Sequence, residues 1–119
     1  MKTIHRTRLL LEPASETQPL LGAILVARDG WKELDKLLEH LRKQTIQSEL
    51  ELLIVADSLE KIAVPESKLR GFHSVRALEL SPLESVSNGH FSGALLARAP
   101  LAVFCEDHCF PDPGWAAAL

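Results

Sequence analysis

Two apolar runs of strand length dominate this chain of 119 residues. Leu21 to Ala27 (LGAILVA) and Leu50 to Ala56 (LELLIVA) carry between them a single charged residue, Glu51. A strand wetted on one face alternates apolar and polar residues, whereas one covered on both faces reads as a near-continuous apolar run. Both runs therefore predict strands of a parallel sheet with helices on either side. Asp29 and Gly30 break the first run and read as a helix cap. In the segment that follows, Trp31, Leu34, Leu37, Leu38 and Leu41 fall at helical spacing, with Lys32, Glu33, Asp35, Lys36, Glu39 and Arg42 between them, the pattern of an amphipathic helix laid on a sheet.

After the second run a loop-like region with Pro65 and Gly71 leads to Val75 to Leu80 (VRALEL), whose alternation predicts a third strand nearer an edge. Pro82 to Gly89 reads as loop or helix entry, Phe91 to Arg98 (FSGALLAR) as a packed helix and Leu101 to Phe104 as a fourth short strand. Asp112-Pro113-Gly114 has the residues of a helix start. This order predicts an α/β fold, a Rossmann-like, mostly parallel sheet flanked by helices. Upstream, Glu12 to Pro19 reads as a polar linker, which leaves Ile4 to Leu11 as an extra strand or a lead-in. The chain thus divides into residues 1–20 and a domain over 21–119.

Charge and cysteine usage exclude several classes of function. Thirteen Lys and Arg against 16 Asp and Glu give a formal net charge of -3, so the broad basic footprint of a nucleic-acid-binding protein is absent. No apolar run approaches the ~18 residues of a membrane-spanning helix. Leu9-Leu10-Leu11 is too short for the apolar region of a signal peptide. Cys105 and Cys109 are too few for a disulfide scaffold and point to a reducing, cytoplasmic setting. Neither phosphate-cradling glycine loop occurs, nor a nucleophile elbow, which disfavours dinucleotide dehydrogenases, P-loop enzymes and serine hydrolases. His5, His40 and His73 have no evident partners and read as surface residues.

In open parallel sheets ligands bind beyond the C-terminal ends of the strands. Those ends here are Arg28-Asp29, Asp57-Ser58 and Glu106-Asp107-His108. In the run Cys105 to Cys109, carboxylate and imidazole suit a hard or borderline cation such as Mn²⁺ or Mg²⁺. A zinc reading takes Cys105, His108 and Cys109 with His90 as a fourth ligand, although no second Cys/His pair gives finger or ribbon spacing. The plainer alternative makes the cysteines small packing residues and the acids a solvated loop. Asp57 either accepts a hydrogen bond from a base or ribose or serves as a turn or helix cap, and Asp29 has the same two readings, tilted toward the cap.

Four segments, in order, resemble the N-terminal half of a family 2 glycosyltransferase with the GT-A type fold. They are Ile24 to Asp29 with Trp31, Leu41 to Thr45 (LRKQT), Leu52 to Ser58 (LLIVADS) and Val103 to Trp115 (VFCEDHCFPDPGW), the last resembling the segment with the metal-binding D-x-D motif. The resemblance implies transfer of a sugar, with inversion, from a nucleoside diphosphate sugar to an acceptor, with Mn²⁺ or Mg²⁺ bridging the diphosphate. It would give Asp57 the donor's base, and Ala27, Arg28 and Asp29 the lining of the nucleoside pocket. Glu106 would face the ribose or the metal, Asp107 would stand mid-triplet and His108 would take the metal-ligating position.

The chain departs from the pattern at Val26, Ala56, His90 and Phe91, and at Glu106 and His108, which replace both aspartates of the triplet. The family's acceptor half and catalytic base follow the segment at which these residues stop, so the resemblance implies a donor-binding portion with an unknown acceptor. Exposed apolar strand edges would favour self-association. The alternative is a non-catalytic α/β interaction module derived from such a domain.

Overall fold

A computed structural model describes Ile4, residues 6–13 and residues 16–119; His5 lies outside the described residues. The fold is α/β. A five-stranded mixed sheet is built from β1 (Arg6–Leu11), β2 (Leu21–Val26), β3 (Leu50–Ala56), β4 (Ser74–Glu79) and β5 (Leu101–Cys105), in the order β1-β4-β3-β2-β5. Neighbours among β2 to β5 are parallel, and β1 joins β4 antiparallel. Among the described residues there are two α-helices, α1 (Asp35–Arg42) and α2 (Val86–Ala94), and none long and apolar enough to cross a membrane.

Every residue of β2 and β3 is buried, as their unbroken apolar runs predict. The two strands pair in register from Leu21 opposite Leu50 to Val26 opposite Val55, so alternate side chains feed two cores. Ala23, Leu25, Leu52 and Ile54 pack with Leu34, Leu37, Leu38 and Leu41 from α1 and the turn before it. Ile24, Val26, Leu53 and Val55 pack with Leu78 and Leu80 on the opposite face. There α2 approaches closely because it presents two glycines one turn apart. A Cβ on Gly93 would stand 2.6 Å from Ile24 Cγ2 and 3.1 Å from Val55 Cγ2, and one on Gly89 would stand 2.8 Å from Val26 Cγ2.

Several sequence expectations are corrected. The helix expected over Phe91 to Arg98 begins earlier, at Val86, because Ser85 caps it: Asn88 N–H donates to Ser85 Oγ at 3.0 Å. It ends at Ala94 because polar groups of the sheet face claim the backbone that follows. Arg76 Nη2 donates to the Leu96 carbonyl, and Glu51 Oε1 accepts from Arg98 N–H at 2.7 Å. The apolar helix after Gly30 starts as a 3₁₀ turn, Trp31–Leu34, and Asp29 does not cap it; Gly30 is the N-cap and makes no side-chain bond.

Val75 to Leu80 does lie nearer an edge, as its alternation predicts, with β1 alone outside it, and Arg6 makes two bonds to Glu79 across that pairing, at 3.0 and 2.6 Å. Asp112-Pro113-Gly114 opens a turn followed by the 3₁₀ turn Ala116–Ala118. His73 is buried, with Nε2 bonded to the Thr17 carbonyl at 2.6 Å and Nδ1 to Ser74 Oγ at 3.0 Å. His40 is half-buried against Phe110, its Nδ1 3.3 Å from the Pro111 carbonyl.

The close seat of α2 is directly testable. Gly93→Ala should lower stability by about 1–3 kcal/mol through overpacking, read as a lower urea midpoint at an unchanged m-value. Gly114→Ala, where an added Cβ meets nothing within 4 Å, should leave the midpoint in place.

Candidate functional site

Because β2, β3 and β5 run parallel, their C-terminal ends emerge along one edge of the sheet, and the polar residues that follow them are brought together there. A cleft of about 530 Å³ opens at the ends of β2 and β5. Val26 and Val86 form its apolar walls; Arg28, Asp29 and Glu33 come from the loop and turn after β2, and Glu106, Asp107 and His108 from the loop after β5. Four carboxylates thus face one guanidinium and one imidazole.

The local geometry explains each placement. Glu33 folds back on the β2 loop, where its Oε1 accepts from Arg28 N–H in a short bond and from Asp29 N–H at 3.4 Å. Reading from sequence misses this residue, since Glu33 then counts only as the polar face of the following helix. The signal that could have found it is an acid in the first turn after a strand-end loop, close enough to receive that loop's free N–H groups. His108 is held between acids, with Nε2 3.0 Å from Glu106 Oε2 and Nδ1 3.4 Å from Asp107 Oδ1.

Asp57 stands at the next strand end but outside the cleft lining, paired with Lys61 at 2.9 Å. Lys61 in turn donates to the Arg28 carbonyl at 3.3 Å, so Asp57 is linked to the cleft through that cation. Ala27 is fully buried, its N–H bonded to the Val55 carbonyl at 2.8 Å. The structure therefore brings Arg28, Asp29, Glu106, Asp107 and His108 into one cleft, leaves Asp57 beside it and keeps Ala27 in the core.

The donor set of two carboxylates and an imidazole suits a divalent cation chemically, but the side chains do not form a seat for one. Glu106 and His108 are turned toward each other, and among the described residues no three His, Cys, Asp or Glu groups gather to hold a metal. The zinc set is likewise not assembled. Cys105 is buried in the α1-side core, and that burial pushes its thiol up to about 12.

His90 is buried behind β5, stacked on Phe104 with centroids 4.8 Å apart, its Nε2 3.3 Å from the Cys105 carbonyl. Burial pulls its pKa below the usual imidazole range, against the bond to Cys105 and the charge of Glu106, which raise it. A second polar side chain, Gln44, ties the end of α1 to the segment after the cleft. Its Nε2 donates to the Asp112 carbonyl at 2.7 Å, and its Oε1 accepts from Ala116 N–H at 3.0 Å.

Compared with protein-family models, curated proteins and solved structures, the chain matches none.

His90 gives a pH signature. The unfolded chain takes up a proton at the ordinary histidine value of about 6.5, where folded His90 still refuses it, so stability should fall as pH drops through that value. The fall should level off once the pH is below the depressed folded value. In His90→Phe, which keeps the ring stack, this part of the slope should vanish in urea titrations run on both sides of that interval.

Proposed function

We propose that the chain is the nucleotide-sugar-binding portion of a cytoplasmic glycosyltransferase of family 2, its sheet the Rossmann-like core of a GT-A type domain. In this reading a nucleoside diphosphate sugar lies across the C-terminal ends of β2, β3 and β5, for transfer with inversion to an acceptor. The observation that carries it is the cleft itself: strand-end groups from separate parallel strands line one cavity, with Asp57 at the adjoining strand end. Arg28 would meet the donor phosphates, while Asp57 and Asp29 would accept hydrogen bonds from base and ribose.

Electrostatics define what else such a donor needs. A diphosphate beside Asp29, Glu33, Glu106 and Asp107 is repelled unless positive charge intervenes, and Arg28 alone does not balance four acids. Glu106 and His108 are the residues that Mn²⁺ or Mg²⁺ would meet. They are paired with each other, so a cation would have to displace that pairing to reach them. Transfer with inversion also needs a base for the acceptor hydroxyl, which in this reading belongs to the acceptor half of such an enzyme.

The same self-pairing of Glu106, Asp107 and His108 favours a second reading, in which the domain keeps the shape of a transferase as a non-catalytic interaction module. Calorimetric titration of UDP and GDP, with and without Mn²⁺, separates the two. The first reading expects saturable binding of one nucleotide, strengthened by the metal and weakened about tenfold or more in Asp57→Ala or His108→Ala. Silence from a chain shown to be folded by circular dichroism would overturn it in favour of the second.

A further inference from the structure

Lys61 bridges the ends of β2 and β3. It belongs to the 3₁₀ turn Leu59–Ile62, which follows β3 closely. That turn is fixed from several sides. Leu59 and Ile62 are buried in the α1-side core, Ser58 Oγ accepts from Glu60 N–H at 3.3 Å, and Leu59 N–H donates to Glu79 Oε2 at 3.2 Å. With Leu59 and Ile62 turned inward, Lys61 lies against the loop after β2, where a Cβ on Gly30 would stand 3.9 Å from the Lys61 carbonyl. From there its ammonium meets Asp57 Oδ1 at 2.9 Å and donates to the Arg28 carbonyl at 3.3 Å.

The two oxygens of Asp57 are not equivalent. Oδ1 is shut off from solvent and takes no hydrogen bond from any described residue, so the ammonium of Lys61 is the charge that compensates it. The side chain is nonetheless 40% exposed, which leaves Oδ2 as the oxygen a ligand can reach. Given the nucleotide reading above, on which this rests, we propose that Lys61 is the positioning residue of the base-binding site. It holds Asp57 by Oδ1, so that Oδ2 faces the base. Through the Arg28 carbonyl it also fixes that carboxylate relative to the residue that meets the phosphates. Lys61 does not itself transfer to the ligand. Its departure would strand an ionised oxygen with neither water nor a counter-charge, a cost that a solvated ammonium–phosphate contact does not repay. Asp57 therefore offers the base a single acceptor oxygen, aimed by its ion pair.

A double-mutant cycle on nucleotide affinity tests this role. With UDP and GDP titrated calorimetrically into the full chain in the presence of Mn²⁺, Lys61→Met should weaken the nucleotide that the parent binds about tenfold. Asp57→Asn should weaken it at least as much. The double variant should bind no more weakly than Asp57→Asn alone, because Lys61 acts only through that carboxylate. Lys61→Arg keeps the charge and should recover binding to within about threefold of the parent, with far-ultraviolet circular dichroism unchanged in every variant. A parent that binds, with Lys61→Met indistinguishable from it, overturns the positioning role and leaves the nucleotide reading standing. So does a double variant in which the two losses multiply, since Lys61 would then meet the ligand on its own, and so does Lys61→Arg as weak as Lys61→Met. A folded parent that binds neither nucleotide overturns both.

Discussion

Burial of β2 and β3 on both faces is the constraint from which the rest of the structure follows. Two strands with no wet side need an apolar layer above and another below. The first is supplied by side chains, the leucines of α1 and of the turn before it. The second depends in part on the absence of side chains, since Gly89 and Gly93 let the backbone of α2 settle on Ile24, Val26 and Val55. Glu51, the one charge in these strands, is admitted because the turn after α2 brings it the N–H groups of Arg98 and Ala99, with Arg76 4.0 Å away. Its second oxygen has no hydrogen-bond partner among the described residues, so the carboxylate retains part of its desolvation cost.

The same parallel arrangement sets the character of the cleft. Strands that must be apolar along their length place their polar residues at their ends, and parallel strands place those ends together. Chemistry at this edge is therefore a consequence of the core as much as of the loops. The loop groups are largely committed to one another: Glu33 to the N–H groups of Arg28 and Asp29, His108 to its acidic neighbours, Asp57 to Lys61. The resulting surface is acidic and ordered, and any anionic ligand would have to bring or recruit positive charge.

What was legible in the sequence is what depends on local pattern. The runs at Leu21 and Leu50 announce doubly covered strands, VRALEL shows its alternation, and the polar strand ends identify the edge at which the cleft opens. What was not legible depends on partners far along the chain. That β1 covers β4 rests on Arg6 meeting Glu79, and that His73 is buried rests on the Thr17 carbonyl. The shift of α2 toward Val86 combines a local signal, the Ser85 cap, with a remote one, the pull of Glu51 on Arg98. At the cleft, Asp29 has the residue type of a cap, yet Gly30, at φ +139°, a conformation that few other residues adopt, precedes the turn and leaves the acid free to line the cavity.

Gln44 has a consequence for motion. With both ends of its amide bonded to the backbone at Asp112 and Ala116, and with Thr45 N–H bonded to the Pro113 carbonyl at 2.9 Å, it anchors the chain just past the cleft. The preceding anchor is β5 itself. The loop that carries Glu106, Asp107 and His108 is therefore a short span fastened at both ends, too short to swing across the opening as a lid. Its side chains can turn, but its backbone has little travel, so the cleft adapts to an occupant by changing rotamers and exchanging ion-pair partners rather than by closing over it.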